Sequence, residues 1–323
     1  MTIAYWLLAA AVLLAAPAQA EHPTRLFEVP KGAHPHDVAP GPPGFIWYTA
    51  QWQGALGIIN IKTGQVRQVK LGEKSAPHGV VQGPDGAAWI TDGGLNAIVR
   101  VDPKTDAVKA WTLPEGSGFT NLNTPAFDGK GRVWFTGQTG IYGRLDPATG
   151  KLDVWPAPKG RGPYGISATA DGQIWYVSLA GSFLAKVDME TGATTVIEPP
   201  VAGSGQRRVW PDSRGDLWVT EWNTGYLARY TPKDGQWKRW KMPGEKPQAY
   251  AVYVDDKDIA WVTEWAGNVT LAFDTKAEKI IGTYPGSATK AEVRQILGRP
   301  GEIYLPESGL DRVMLVETGK PAK

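Results

Sequence analysis

"AWITDGG" (Ala88–Gly94) has the make-up of a short strand ending in a turn: Trp, Ile and Thr suit a pleated sheet, and Asp-Gly-Gly breaks it. The phrase recurs as "WYTAQ" (Trp47–Gln51), "WFTGQ" (Trp134–Gln138), "WYVSL" (Trp175–Leu179), "WVTEW" (Trp218–Trp222), "WVTEW" again (Trp261–Trp265) and "YLPES" (Tyr304–Ser308). The lead aromatics follow one another about every 43 residues, a period that belongs to helical pairs or to four-stranded blades. Composition decides between them. The copy from Pro77 to Gly116 consists of short apolar or alternating runs broken by "PDG", "DGG", "DPKTD" and "LPEG", which are strands and turns. No segment beyond the first twenty residues sustains a helical period.

Four strands per repeat follow, "HGVVQ", "AAWIT", "NAIVRVD" and "AVKAWTL" in the second copy. Seven such sheets set radially make an all-β, seven-bladed β-propeller of four-stranded blades, which protects its edges by closing on itself. "RLFEVP" (Arg25–Pro30) reads as a fourth strand standing before the first blade, and the last repeat stops at a third strand, "DRVMLVET" (Asp311–Thr318). The N-terminal strand is therefore expected to complete the seventh blade. Trp47, Trp89, Trp134, Trp175, Trp218 and Trp261 are expected to pack between blades.

Residues 1–20, "MTIAYWLLAAAVLLAAPAQA", fit a secretory signal peptide, with an apolar run from Ile3 to Ala16 and Ala18-Gln19-Ala20 before a cleavage at Glu21. No Lys or Arg precedes the apolar run, and 14 apolar residues are short for a membrane span. Residues 21–323 then form one propeller domain, periplasmic or secreted, with no membrane span in the mature form, and expected as a monomer. A formal net charge of +2 without a basic stripe argues against a nucleic-acid partner. With no Cys, disulfides and thiolate chemistry are excluded. "NVT" (Asn268–Thr270) matches a glycosylation tripeptide, and "GEKSAPHG" lacks phosphate-loop spacing.

The residue after the strand phrase drifts from Ala to Asp to Glu. Counting back 14 residues from it pairs His36 with Ala50, His78 with Asp92, Asn123 with Gly137, Tyr164 with Ser178, Arg207 with Glu221 and Tyr250 with Glu264. With one deletion Arg294 pairs with Glu307. First strands line a propeller's channel, so both sets are expected to ring one mouth. His78, Asp92, Arg207, Glu221, Trp222, Glu264 and Trp265 are the candidate ligand-binding residues. Carboxylates there suit a hard cation through oxygen ligands, or acid and base work. The ligand is a small molecule, peptide or glycan, and a catalytic site and a plain binding module both remain open. A calcium-dependent lactonase would need a convergent Asp/Asn/Glu cage, and Asn123 stands alone.

The phrases "PHGV…PDGAAWITD", "PYGI…DGQIWYVS" and "WVTEW…G" resemble the streptogramin B lyase (virginiamycin B lyase) family across roughly residues 25–318. The resemblance implies a seven-bladed propeller that opens a cyclic depsipeptide by elimination at its ester, with a magnesium ion held by carboxylates and a histidine as base. Carried onto this chain, it assigns Glu292 and Glu307 to the metal. It puts Arg294 where the base histidine would stand and Tyr250 where a second histidine would stand. Arginine is no ordinary base. Tyr250, one blade from both Arg207 and Arg294, is the alternative base, since nearby positive charge favours phenolate. Arg294 would then bind a substrate carboxylate or ester oxygen.

Overall fold

The structure is a computed structural model that describes residues 22–319, so the expected signal peptide and its cleavage site lie outside the described residues. Seven antiparallel four-stranded sheets make the propeller, six of them with strands in sequence order. The seventh confirms closure by the N-terminal strand. Thr24–Glu28 pairs with Arg312–Glu317, in register from Thr24 opposite Val316 to Glu28 opposite Arg312. Phe27 and Val29 are buried there, and the Asp311 carboxylate accepts from the Gly32 and His34 amides at 2.7 and 2.8 Å. Among the described residues no helix is long and apolar enough to cross a membrane.

The repeated phrase explains itself in the packing. Each lead Trp is buried, and in four of the six the indole N–H finds an acceptor in the Asp of the turn before it, whereas the Trp175 indole N–H is buried without a partner. Trp89 donates to Asp85 at 3.0 Å, Trp134 to Asp128 at 2.8 Å, Trp218 to Asp212 at 3.0 Å and Trp261 to Asp255 at 2.9 Å. In those four blades one residue fills the space between blades and fixes a hairpin, with its own buried N–H satisfied.

The threonine two places on has a separate task. The hydroxyl of Thr49 accepts from the Asp37 amide at 3.0 Å and donates to the carbonyl of His78, in the next blade, at 2.8 Å. Thr220 accepts from the Arg208 amide at 3.0 Å and donates to the Tyr250 carbonyl at 2.9 Å. Thr91 likewise joins Gly79 to Asn123, and Thr136 joins Thr124 to Tyr164. Each hydroxyl ties its own blade's first strand to the next, for a net gain of about 1 kcal/mol per bond.

Those first strands are Pro35–Pro40, Pro77–Gln82, Leu122–Phe127, Pro163–Ala168, Gln206–Pro211, Ala249–Val254 and the short Leu297–Arg299. In the first six the register slips by one residue just inside the channel mouth, for example between Gln206 and Val209 and between Ala249 and Val252. The residues opposite the drifting positions are therefore 15 apart, as in Pro77 with Asp92, Gln206 with Glu221 and Ala249 with Glu264. The 14-residue pairing is corrected by this bulge. A bulge carries one unpaired residue and re-aims its side chain.

Candidate functional site

The bulges build the site. Their first residues are His36, His78, Asn123, Tyr164, Arg207 and Tyr250, joined by Arg294 from the segment before the seventh blade's first strand. Their contacts run from blade to blade. The His36 and His78 rings lie 3.7 Å apart, centre to centre. Tyr164 and Tyr250 hydroxyls are 3.5 Å apart, and Arg207 donates to the Tyr164 hydroxyl at 2.9 Å. The Arg207 guanidinium sits 3.9 Å from the Tyr250 ring centre, 4.3 Å from Trp222 and 4.7 Å from Tyr164. Trp265 stacks on Tyr250 at 5.0 Å and Arg294 lies over Trp265 at 5.5 Å.

A second layer lies one residue deeper and was not singled out in the sequence. Arg208, buried with Asp37, pairs with it at 3.5 Å and donates to the Thr124 hydroxyl. Gln295 bridges to the Asp37 strand. The available signal was the residue directly after each channel position, which recurs at the same period. Beyond this layer the channel widens into a cavity of about 190 Å³ lined by Val80, Phe127, Ile166, Trp210 and Leu297, away from the mouth.

Hydrogen bonds fix the protonation states. Thr124 donates to Asn123 Oδ1 at 2.7 Å, which turns the Asn123 amide NH₂ toward His78 Nε2 at 3.2 Å. His78 Nε2 is then the acceptor, and its Nδ1 is buried without a partner. His36 Nδ1 faces Asp37 Oδ1 at 2.7 Å, leaving Nε2 to accept from Arg294 at 3.4 Å. Burial first, and then Arg294, Arg208 and Arg207, hold His36 well below its ordinary pKa. Burial also lowers His78, reinforced by His36. Both imidazoles are neutral near pH 7. Burial raises Asp37, against the pull of Arg208.

The tyrosines diverge. Burial opposes a charge on Tyr250, but Arg207, Arg208 and Arg294 outweigh it and bring the phenol down to about 7. Burial and the neighbouring Tyr250 push Tyr164 up to about 12. The two hydroxyls titrate as a pair, and the three guanidinium groups favour its singly ionised form.

The acidic half of the expected mouth is engaged elsewhere. Asp92 accepts from the Ala76, Gly94 and Leu95 amides at 2.9 to 3.0 Å and from Ser75. Glu264 accepts from Gln248 and Ala266 amides at 2.8 and 3.1 Å, and Glu221 takes a two-pronged contact from Arg239 with Thr224. All three are buried, and these carboxylates clamp loops that connect strands. The drift toward acid answers the need of each of these turns for an acceptor, so the carboxylates expected at the mouth already have partners within the protein.

Glu307 does the same. It is buried, and its two oxygens accept from the Ser287 amide at 2.7 Å and from the Ser287 hydroxyl. Glu292 is half-exposed and lies 3.7 Å from the Arg294 guanidinium. The pair does not fit a magnesium ion: one carboxylate has both oxygens occupied, and a fixed cation already attends the other. His36, Asp37 and His78 bring three donor atoms within 4.8 Å of one another. Arg208 and Arg294 contact that group directly, so a dication would enter against like charge.

The comparisons with known proteins agree with this fold. A family model described as the virginiamycin B lyase family matches residues 4–271. No curated protein matches the chain significantly. Among solved structures, a selenomethionine-substituted virginiamycin B lyase from Staphylococcus aureus is 21% identical, with a TM-score of 0.83 over 92% of this chain and 99% of that one. A catalytically inactive form of the S. aureus lyase with quinupristin is 21% identical, with a TM-score of 0.81 over 91% and 99%. The extracellular domain of a one-component system from B. thetaiotaomicron is 16% identical, with a TM-score of 0.68 over 93% of this chain and 42% of that one. At such identities the structures establish a shared fold, and the match of the family model over most of the sequence establishes that the chain belongs to the virginiamycin B lyase family.

Proposed function

We propose that this protein is an exported carbon–oxygen lyase of the propeller type, acting at the channel mouth with Tyr250 as general base and Arg294 on a substrate carboxylate or ester oxygen. The observation that carries the reading is the Tyr250 phenol, brought down to about 7 by three guanidinium groups. It stands where the family resemblance implies a histidine, and a base poised near the working pH is what proton abstraction needs. In the elimination, the phenolate takes the proton on the carbon next to a carbonyl, that electron pair forms the carbon–carbon double bond, and the neighbouring carbon–oxygen ester bond breaks. The leaving group is a carboxylate, which Arg294 is suited to receive. Glu292 and Glu307 have no step in this scheme, and neither does magnesium.

The test is linearisation of a streptogramin B antibiotic by wild type and Tyr250→Phe. Product bearing a new double bond, lost in the variant, supports the reading. Product formed equally by both proteins removes Tyr250 as base, and no product from either removes depsipeptide opening. A second reading, a non-catalytic periplasmic or secreted propeller binding a small molecule, peptide or glycan as a monomer, is favoured by the 1% exposure of Tyr250. Its ring is enclosed by Arg207 and Trp265, so a substrate would have to part these to reach the hydroxyl. Tight binding of a ligand without turnover selects that reading.

A further inference from the structure

We propose that the channel mouth is a receptor for a ligand carboxylate, taken between the guanidinium groups of Arg207 and Arg294 against the aromatic wall of Trp222 and Trp265. The first support is charge. Arg207 and Arg294 face the mouth with Arg208 one residue deeper, and the buried carboxylate among them is Asp37, already paired with Arg208. Glu292 meets Arg294 only at its half-exposed rim, at 3.7 Å. Among the described residues, no carboxylate forms an ion pair with Arg207. Its partners are the Tyr164 hydroxyl, the Tyr250 hydroxyl, whose ionised form it favours, and three aromatic ring faces. Ring faces attract a cation far less than an anion does once water is excluded.

The second support is unmet hydrogen bonding. The Nε atoms of Arg207 and Arg294 are buried with no acceptor, and so is His78 Nδ1, which the hydrogen-bond pattern makes a donor. Buried donors without acceptors are rare in folded proteins, and three around one mouth share the want of an acceptor. The flat Trp222 and Trp265 rings, 6.1 Å apart at 68°, suit a planar carboxylate on an apolar or aromatic body over a tetrahedral phosphate. The guanidinium fork is matched to the same planar group.

The inference shares its site with the lyase reading, whose leaving group is a carboxylate, but it requires no turnover. It also couples ligand to proton. Tyr250 faces Arg207 and Arg208 from the fifth blade, Arg294 from the seventh and the Tyr164 hydroxyl from the fourth. Neutral His36, His78 and the Asp37 carboxylate complete the ring from the first two blades. A carboxylate that takes up the guanidinium charge leaves less of it for a phenolate, so binding near pH 8 should draw in a proton.

The experiment is titration calorimetry of the full chain with benzoate, with benzamide as its uncharged counterpart and with inorganic phosphate, repeated in buffers of different ionisation enthalpy. Benzoate should bind at least tenfold more tightly than benzamide and take up close to one proton in wild type but not in Tyr250→Phe. Arg207→Gln and Arg294→Gln, each verified as folded by circular dichroism, should weaken benzoate at least tenfold. Should either fail to fold, the other and the benzamide comparison still decide the matter. Equal binding of benzoate and benzamide, or benzoate binding indifferent to both substitutions, overturns the proposal. Phosphate binding without benzoate overturns it in favour of a tetrahedral-anion site. Benzoate binding with no antibiotic opened removes the lyase reading alone, whereas opening that benzoate neither binds to nor inhibits removes this inference alone.

Discussion

Mutating Arg207 to Gln should return the Tyr250 phenol toward its ordinary range, and the size of the change follows from the site. A phenol with a pKa of about 7 is about 90% ionised at pH 8, against about 1% for a free tyrosine. The shift from an ordinary value of 10 corresponds to about 4 kcal/mol of preference for the charged form. Arg207, which faces the ring at 3.9 Å, is the largest favourable contributor. Removing it should raise the phenol by more than one pH unit. Tyrosinate absorbance near 295 nm reads this directly, as one early transition among 11 tyrosines. Wild type should show it near pH 7, Arg207→Gln later, and Tyr250→Phe not at all. The linkage has a definite sign. The folded pKa lies below the unfolded one, so the stabilisation is complete above about pH 10 and is lost as pH falls toward 7. Absence of any tyrosinate below pH 9, or its persistence in Tyr250→Phe, would refute the reasoning.

Deleting residues 21–31 should lower thermal stability, because it exposes the edge of Arg312–Glu317 and removes buried Phe27, whose truncation alone is worth about 3–5 kcal/mol. An unchanged melting temperature rules out the latch. Glu307→Gln should cost about 1–3 kcal/mol by disturbing the clamp on Ser287, read by denaturant unfolding, while leaving magnesium binding by calorimetry unaltered. Magnesium binding in wild type that the substitution abolishes would restore Glu307 as a metal ligand.

The parts of the fold legible in the sequence were those written seven times. Trp-x-Thr recurs because the indole fills the space between blades and in four of them closes the Asp turn, while in four the hydroxyl joins neighbouring first strands. A period of that kind survives any change in the channel. The site was half legible. Tyr164, Arg207, Tyr250 and Arg294 emerged from counting, but the count missed the bulge between Gln206 and Val209 and its counterparts, which no residue type announces. Without the bulge, Asp92, Glu221, Glu264 and Glu307 could not be separated from the residues that face the channel. A carboxylate clamping a loop and one lining a channel look alike in a sequence. The second layer, with Arg208 and Asp37, was hidden for the opposite reason: its positions alternate with Gly79, Gly165 and Ala251, so only some blades contribute a polar group.

The division of labour within each repeat bears on how family membership and chemistry relate in this chain. The hydroxyls of Thr49, Thr91, Thr136 and Thr220 hold their neighbours through main-chain amides and carbonyls, so the bulge is fixed whatever side chain it presents. His78, Asn123, Tyr164 and Tyr250 are therefore held through their carbonyls in the same way while carrying unlike groups. Exchanging one group for another there leaves the Trp–Asp turns and the blade staples untouched. Such exchange does alter the charge at the mouth, because Arg207, Arg208 and Arg294 act on the same few side chains. A channel with these three cations favours neutral imidazoles at His36 and His78, an ionised phenol at Tyr250 and an incoming anion. The same charges work against a second, diffusible cation. The scaffold thus conveys the family, while the guanidinium groups determine what kind of ligand the mouth is built to accept.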